Sequence, residues 1–110
     1  MILLVDDDKS ILNINSQLLE HKGFKVSAHL CAKQALTAFS QQPKTFKAII
    51  TDQNMPNMTG LDLIASAEKI KPDTKAILYT GMPSKSAPEH ITILLKPARI
   101  EQIISLLNRL

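Results

Sequence analysis

Short apolar runs alternate with segments of helical periodicity along the 110 residues, and this alternation is the feature that most restricts the fold. The apolar runs are four or five residues long, rich in β-branched residues and bounded by polar or turn residues, which is typical of strands. They are Ile2–Val5, 25–29, Ala48–Thr51, 76–79 and Thr92–Leu95. Strands that alternate with helices predict an α/β fold with a parallel sheet.

The helical segments follow each of the first three strands and the last one. The clearest is the C-terminal segment, where the apolar residues stand at i, i+3, i+4 and i+7: Ile100, Ile103, Ile104 and Leu107. Right-handed crossovers make such a sheet doubly wound. The nearly continuous apolar runs 48–50 and 91–95 predict strands that are covered on both faces. Ligands of doubly wound sheets bind outside the carboxyl ends of the strands, so the chemistry is expected at that edge.

Composition restricts the class of protein more than its activity. We expect residues 1–110 to form a single domain, and 45% hydrophobic residues are ordinary for a globular protein. No apolar stretch approaches the roughly 20 residues of a membrane span, and the N-terminus lacks the basic region of a signal peptide. Cys31 is the only cysteine, which excludes an internal disulfide. We therefore expect a cytoplasmic protein without a membrane role.

The charge gives no evidence of nucleic-acid binding. The formal net charge is +3, but the 13 Lys and Arg residues are scattered, without a basic run and without interleaved aromatic residues. A solvated surface of mixed charge is the better interpretation, and direct nucleic-acid binding by this domain is not expected.

Chemically active side chains follow four of the five predicted strands. Three carboxylates, at positions 6–8, come directly after the first strand, and Asp52 follows the third. Thr80 ends the fourth strand and Lys96 follows the fifth. Each residue alone has a simpler explanation, as a helix cap, a turn residue, a strand end or a surface charge. Their coincidence at the one edge where this architecture binds ligands favours a functional site.

These residue types suit phosphoryl chemistry with a hard divalent cation. Neighbouring carboxylates repel one another unless a cation lies between them, and Mg²⁺ prefers carboxylate, water and phosphate oxygens. An aspartate can also act as a nucleophile and form an acyl phosphate. A lysine then supplies positive charge to the phosphate oxygens, and a neighbouring hydroxyl can donate a hydrogen bond to them.

Four motifs make the chain similar to the receiver domains of two-component response regulators. They are "LLVDDD", "IITDQNMPNMTGLDLI", "ILYTG" and "LLKPA", in this order, and together they extend over nearly all of the chain. The resemblance implies a flavodoxin-like fold, in which five parallel strands in the order 2-1-3-4-5 are flanked by helices. It also implies Mg²⁺-dependent transfer of phosphate from a histidine kinase, or a phosphotransfer protein, to an aspartate.

The resemblance assigns roles to the residues of the strand ends. Asp52 resembles the phosphoacceptor and also contributes to the metal site. Asp7 resembles the direct metal ligand, Asp6 binds the metal directly or through water, and the backbone carbonyl of Asn54 is the third protein ligand. Asp8, one residue further on, is expected to cap the first helix.

The resemblance also implies how phosphorylation is sensed. Thr80 resembles the switch hydroxyl that moves toward the phosphoryl group, and Lys96 resembles the lysine that pairs with it. The bond between Lys96 and Pro97 is a cis candidate, since this bond is commonly cis in the family. The family's aromatic residue on strand 5 is replaced by Ile93, so the usual ring rotation should be missing.

The link between the last two strands is short. Residues 81–90 are near the minimum for a crossover, and they contain Pro83 and Pro88, which disfavour helix at the residues before them. We therefore expect the fourth helix of a typical receiver to be missing or reduced to a single turn. Receivers shortened in this way resemble those attached to hybrid kinases, so a covalently linked kinase or output domain is compatible with this sequence.

Two alternatives remain at this point. A degenerate receiver would act only as a binding module, against which the complete set of Asp7, Asp52, Thr80 and Lys96 argues. A phosphatase of the haloacid-dehalogenase type would use Asp6 and Asp8, but it would leave Asp52 unexplained. The favoured interpretation is a phosphoacceptor switch, which is not an enzyme in the usual sense.

Overall fold

The computed structural model describes residues 1–82 and 87–110. Its centre is a sheet of five strands in the order β2-β1-β3-β4-β5, and all neighbouring strands are parallel. The strands are β1 (Ile2–Val5), β2 (Val26–His29), β3 (Ala48–Thr51), β4 (Ala76–Thr80) and β5 (Thr92–Leu95). The predicted class and strand order are confirmed, and the predicted strand limits differ by one residue at the start of β2 and at the end of β4.

In residues 1–82 and 87–110, four α-helices pack against the sheet, and one 3₁₀ turn (Pro43–Thr45) leads into β3. The helices are α1 (Lys9–His21), α2 (Ala32–Gln41), α3 (Gly60–Ile70) and α4 (Ile100–Arg109). The Asp8 carboxylate accepts a hydrogen bond from the Ile11 N–H at 3.1 Å, which confirms its predicted role as the cap of α1. None of the helices in the described part of the chain is long and apolar enough to cross a membrane.

The two faces of the sheet have separate apolar cores. Successive side chains of a strand point to opposite faces, so Leu3 and Val5 join one core while Ile2 and Leu4 join the other. The first core is closed by α2 and α3, and the second by α1 and α4. This arrangement is the doubly wound architecture that the alternating sequence pattern predicts.

The prediction that β5 is covered on both faces is wrong. Ile93 and Leu95 are 37% and 48% exposed, whereas Thr92 and Leu94, on the opposite face, are half-buried. β5 is an edge strand that pairs only with β4, and among the described residues only α4 packs against it from one side. The continuous apolar run 91–95 therefore does not report burial on both faces.

The link between β4 and β5 is consistent with a missing or reduced helix. Residues 81, 82 and 87–91 are bends, turns or irregular backbone. The prediction also concerns residues 83–86, which lie outside the described residues.

Candidate functional site

The register of the central strands places Asp6 next to Asp52. Val5 and Thr51 are paired at the ends of β1 and β3, so the residues that follow them leave the sheet side by side. The Asp52 N–H continues the ladder by donating to the Val5 carbonyl at 3.0 Å. The carboxyl ends of two buried parallel strands thus fix the backbone of both aspartates.

Three carboxylates converge at this edge. One oxygen each from Asp6, Asp7 and Asp52 lies within 4.8 Å of the other two. Asp6 is buried, Asp52 is half-buried and Asp7 is exposed, so the cluster extends from the protein interior to solvent. This donor set of close, hard oxygen ligands with one side open to water fits Mg²⁺, which commonly keeps several waters when it binds to proteins. The three predicted aspartate ligands are therefore together.

Lys96 bridges two of these carboxylates. Its Nζ atom lies 3.3 Å from Asp6 Oδ2 and 3.2 Å from Asp52 Oδ2, and its side chain is 22% exposed. Burial by itself would lower the pKa of Lys96, but the charges of Asp6 and Asp52 outweigh it and raise the pKa above its usual value. The ammonium group therefore stays charged. The peptide bond between Lys96 and Pro97 is cis, as the resemblance implied.

Backbone donors supplement the lysine. The Asp8 N–H donates to Asp6 Oδ1 at 2.9 Å, and the Gln53 N–H donates to Asp52 Oδ1 at 2.8 Å. Burial nevertheless raises the pKa of Asp6, with a further contribution from the charge of Asp52, against the opposing effects of the Asp8 N–H and Lys96. Three carboxylates and one ammonium group leave a formal excess of negative charge at this edge, which favours the binding of a further cation.

Two other predicted residues lie at the same edge without joining this cluster of contacts. Thr80 is completely buried at the end of β4, and its hydroxyl oxygen accepts a hydrogen bond from the Met82 N–H at 3.3 Å. Asn54 is exposed on the loop after Asp52, and its carbonyl as a metal ligand stays a prediction. Ile93 occupies the expected position on β5 and is partly exposed.

Gly60, the first residue of α3, is one residue to which the sequence analysis assigned no role at the site. A Cβ atom at this position would lie 2.2 Å from the carbonyl oxygen of Asp52 and 2.9 Å from a methyl group of Leu78. The Gly60 N–H also donates to the Gln53 carbonyl at 3.1 Å. The first turn of α3 therefore packs directly on the backbone of Asp52, and only a residue without a side chain permits this approach.

Tyr79 is a second residue that the sequence analysis did not single out. It lies on β4 directly before Thr80, and the Lys96 Nζ atom stands over its ring at 5.1 Å from the centroid. This distance is within the range of a cation–π interaction. In the sequence, Tyr79 looks like an ordinary core aromatic, because nothing in "AILYT" indicates that a lysine on the next strand will reach its ring.

Comparisons with known proteins agree with this geometry. A family model described as the response regulator receiver domain matches residues 2–108. The response regulator receiver protein CpdR of Brucella abortus is 28% identical over 115 residues, which cover 99% of this chain and 94% of CpdR. A receiver domain structure from Clostridium thermocellum has a TM-score of 0.91 and 27% identity, covering 98% of this chain and 90% of that one.

A further similar structure is a response regulator from Burkholderia pseudomallei with a phosphorylated aspartic acid, a calcium ion and citrate. It has a TM-score of 0.84 and 27% identity, and the match covers 96% of this chain and 65% of that protein.

Proposed function

The chain belongs to the receiver domains of two-component response regulators, and we propose that Asp52 is the residue on which it accepts a phosphoryl group. Receiver domains are signalling switches that interact with histidine kinases or phosphotransfer proteins. The observation that carries the proposal is the placement of Asp52 between Asp6, Asp7 and the ammonium group of Lys96. The phosphorylated aspartic acid of the Burkholderia pseudomallei relative supports the same chemistry here.

The reaction transfers a phosphoryl group from a histidine, the donor, to Asp52, the acceptor. A carboxylate oxygen of Asp52 attacks the phosphorus atom of a phosphohistidine, and a new P–O bond forms while the P–N bond breaks. The electron pair of the broken bond stays on the imidazole nitrogen. The products are the free histidine side chain and the aspartyl phosphate. Lys96, at 3.2 Å from Asp52, is close enough to pair with an oxygen of the transferred group.

Asp6, Asp7 and Asp52 would hold a Mg²⁺ ion, with the Asn54 carbonyl as a further ligand. A bound Mg²⁺ ion neutralises charge that would otherwise keep a phosphoryl group away from these carboxylates. The calcium ion in the Burkholderia pseudomallei relative supports a divalent cation at this kind of site. The role of the chain is to keep three acidic groups close together, and the pKa of Asp6 is raised by burial and, to a smaller extent, by the charge of Asp52.

Thr80 would report the phosphorylated state. Its hydroxyl now accepts a hydrogen bond from the Met82 N–H. A Thr80 side chain that turns to donate to the phosphoryl group gives up this contact, which would release the start of the β4–β5 link. Because Ile93 has no ring to reorient, the signal would then pass through the backbone of this link.

Labelling with a small phosphodonor tests the proposal. The wild-type protein, incubated with acetyl phosphate and Mg²⁺, should gain one phosphoryl group in intact-mass spectrometry, and Asp52→Asn should gain none. Asp8→Asn is the matched control, because Asp8 caps α1 and asparagine caps helices equally well. Equal labelling of Asp52→Asn and wild type would overturn the assignment.

The two alternatives make different predictions. A binding module without phosphoacceptor activity would show no Mg²⁺-dependent change in a titration at millimolar metal, whereas the proposed switch should bind the ion. The phosphatase alternative is disfavoured by the use of the Asp8 carboxylate as a helix cap. It would also require turnover of a generic phosphomonoester, which we do not expect.

A further inference from the structure

Lys96 has three contacts with side chains in the described part of the chain, and two of them are with proposed metal ligands. These two are Asp6 and Asp52, and the third is the ring of Tyr79. If a divalent cation binds the two carboxylates, they share their negative charge between the metal and the lysine. The ring of Tyr79 is then the contact of Lys96 that metal binding leaves unchanged.

Tyr79 is well placed to be a fixed support. It is 8% exposed and belongs to the core between the sheet and α1 and α4, together with Ile77 on the same face of β4. The register pairs Tyr79 with Leu94 on β5, two residues before Lys96. A rigid aromatic ring on a buried strand thus lies under a lysine that extends from the edge strand.

The contact works through the ring face and not through the hydroxyl. The Tyr79 hydroxyl lies 3.5 Å from the Ala98 carbonyl oxygen, which is too long for an effective O–H···O hydrogen bond. The ring face carries negative electrostatic potential and attracts an ammonium group within about 6 Å of its centroid. A partly desolvated ammonium, such as the Nζ of Lys96 with its side chain 22% exposed, gains more from this attraction than a solvated one.

We propose that Tyr79 is a positioning residue that holds the Lys96 ammonium group over the phosphorylation site through a cation–π contact. This inference rests on the proposed roles of Asp52 and Lys96. It gives β4 a second function. Besides carrying Thr80, this strand fixes Lys96, which follows the partly exposed strand β5. Phenylalanine should replace Tyr79 in this role, whereas an aliphatic residue should not.

The contact itself can be tested by NMR without phosphorylation. The Hε protons of Lys96 should be shifted upfield by the ring current in the wild type and in Tyr79→Phe. They should return to ordinary values in Tyr79→Leu, or in Tyr79→Met if the leucine variant does not fold. Wild-type shifts in a folded aliphatic variant would overturn the proposal.

The consequence for the site can be tested with beryllofluoride, an analogue of the phosphoryl group, at saturating Mg²⁺. Tyr79→Leu should weaken beryllofluoride binding about two- to fivefold, as expected for the loss of one cation–π contact, while Tyr79→Phe should bind as the wild type does. Ile77→Val loosens the same core without touching Lys96 and serves as the control. Equal weakening in Tyr79→Leu and Ile77→Val would reduce Tyr79 to a packing residue and contradict the proposal.

Failure of the proposed function has a different signature. In that case no variant, and not even the wild type, would bind beryllofluoride. The ring-current measurement would still decide whether Tyr79 holds Lys96.

Discussion

The strands of the sheet support the site in two different ways. Every residue of β1, β3 and β4 is buried, whereas β5 alternates between half-buried and exposed residues. Asp6, Asp52 and Thr80 follow or end the buried strands, and packing on both faces fixes their backbones. Lys96 follows the edge strand and is fixed by side-chain contacts. The buried strands therefore fix the positions of the carboxylates, whereas contacts with other site residues fix the position of the lysine.

The largest expected effect compares one substitution in the two regions. Ile50→Ala on β3 should lower the free energy of unfolding by about 2–5 kcal/mol, because Ile50 is only 1% exposed and its removal leaves a cavity. Ile93→Ala on β5 should lower it by less than about 1 kcal/mol, since its side chain is already 37% exposed. Urea denaturation of both variants measures the difference. Similar losses would show that β5 is packed as tightly as the central strands.

The same alanine substitution at two glycines, one packed against the site and one in the β4–β5 link, gives a second comparison. Gly60→Ala should cost about 1–3 kcal/mol, because a Cβ atom 2.2 Å from the Asp52 carbonyl oxygen must displace backbone. The same shift moves Asp52, so phosphorylation by acetyl phosphate should also slow. Gly81→Ala, in the β4–β5 link, should stay within about 0.5 kcal/mol of the wild type, because no atom of the described residues lies within 4 Å of the added Cβ.

Thermal unfolding and phosphorylation rates, measured on the same samples, separate the two effects of Gly60→Ala. A Gly60→Ala variant with wild-type stability and rate would mean that α3 can withdraw from Asp52 without consequence.

The smallest effect concerns the opposite edge of the sheet. Burial lowers the pKa of His29, at the end of β2, below the usual 6.5, and its ring lies 2.8 Å from the Ser27 hydroxyl. The fold thus favours the neutral imidazole. The stability that the neutral imidazole contributes is fully present at pH values above the pKa of His29 in the unfolded chain. It is lost as the pH falls through the lower pKa of His29 in the folded protein. Between about pH 7 and about pH 5, the wild type should therefore lose stability relative to His29→Gln.

Thermal unfolding of the two proteins across this pH range tests the prediction. His21→Gln, on the exposed end of α1, controls for the removal of an imidazole. A constant difference between wild type and His29→Gln would contradict it.

The sequence was sufficient for the sheet and for the acidic edge. Alternating strand and helix patterns determine a parallel sheet, and in a parallel sheet all carboxyl ends meet at one edge. Asp6, Asp52, Thr80 and Lys96 therefore had to approach one another, whatever the details of packing. The cap at Asp8 was also predictable, because its interaction is local.

The features that the sequence did not predict have a common cause. Each of them depends on which groups from other segments of the chain lie next to a residue in the folded structure. The run 91–95 is almost entirely apolar, but its burial depends on whether a helix covers it, and Ile93 and Leu95 are partly exposed. The closeness of Gly60 to Asp52 depends on how α3 approaches β3. The contact of Tyr79 with Lys96 depends on the register between β4 and β5. Patterns within one segment do not contain this information.

The position of Tyr79 also makes the protein its own optical probe. The chain has one tyrosine and no tryptophan, so its near-ultraviolet emission comes almost entirely from one ring. That ring lies under Lys96 and next to Thr80 in the sequence. We therefore expect the binding of beryllofluoride beside Lys96 to change the tyrosine fluorescence, so that it can be followed in real time on unlabelled protein and without a reporter mutation.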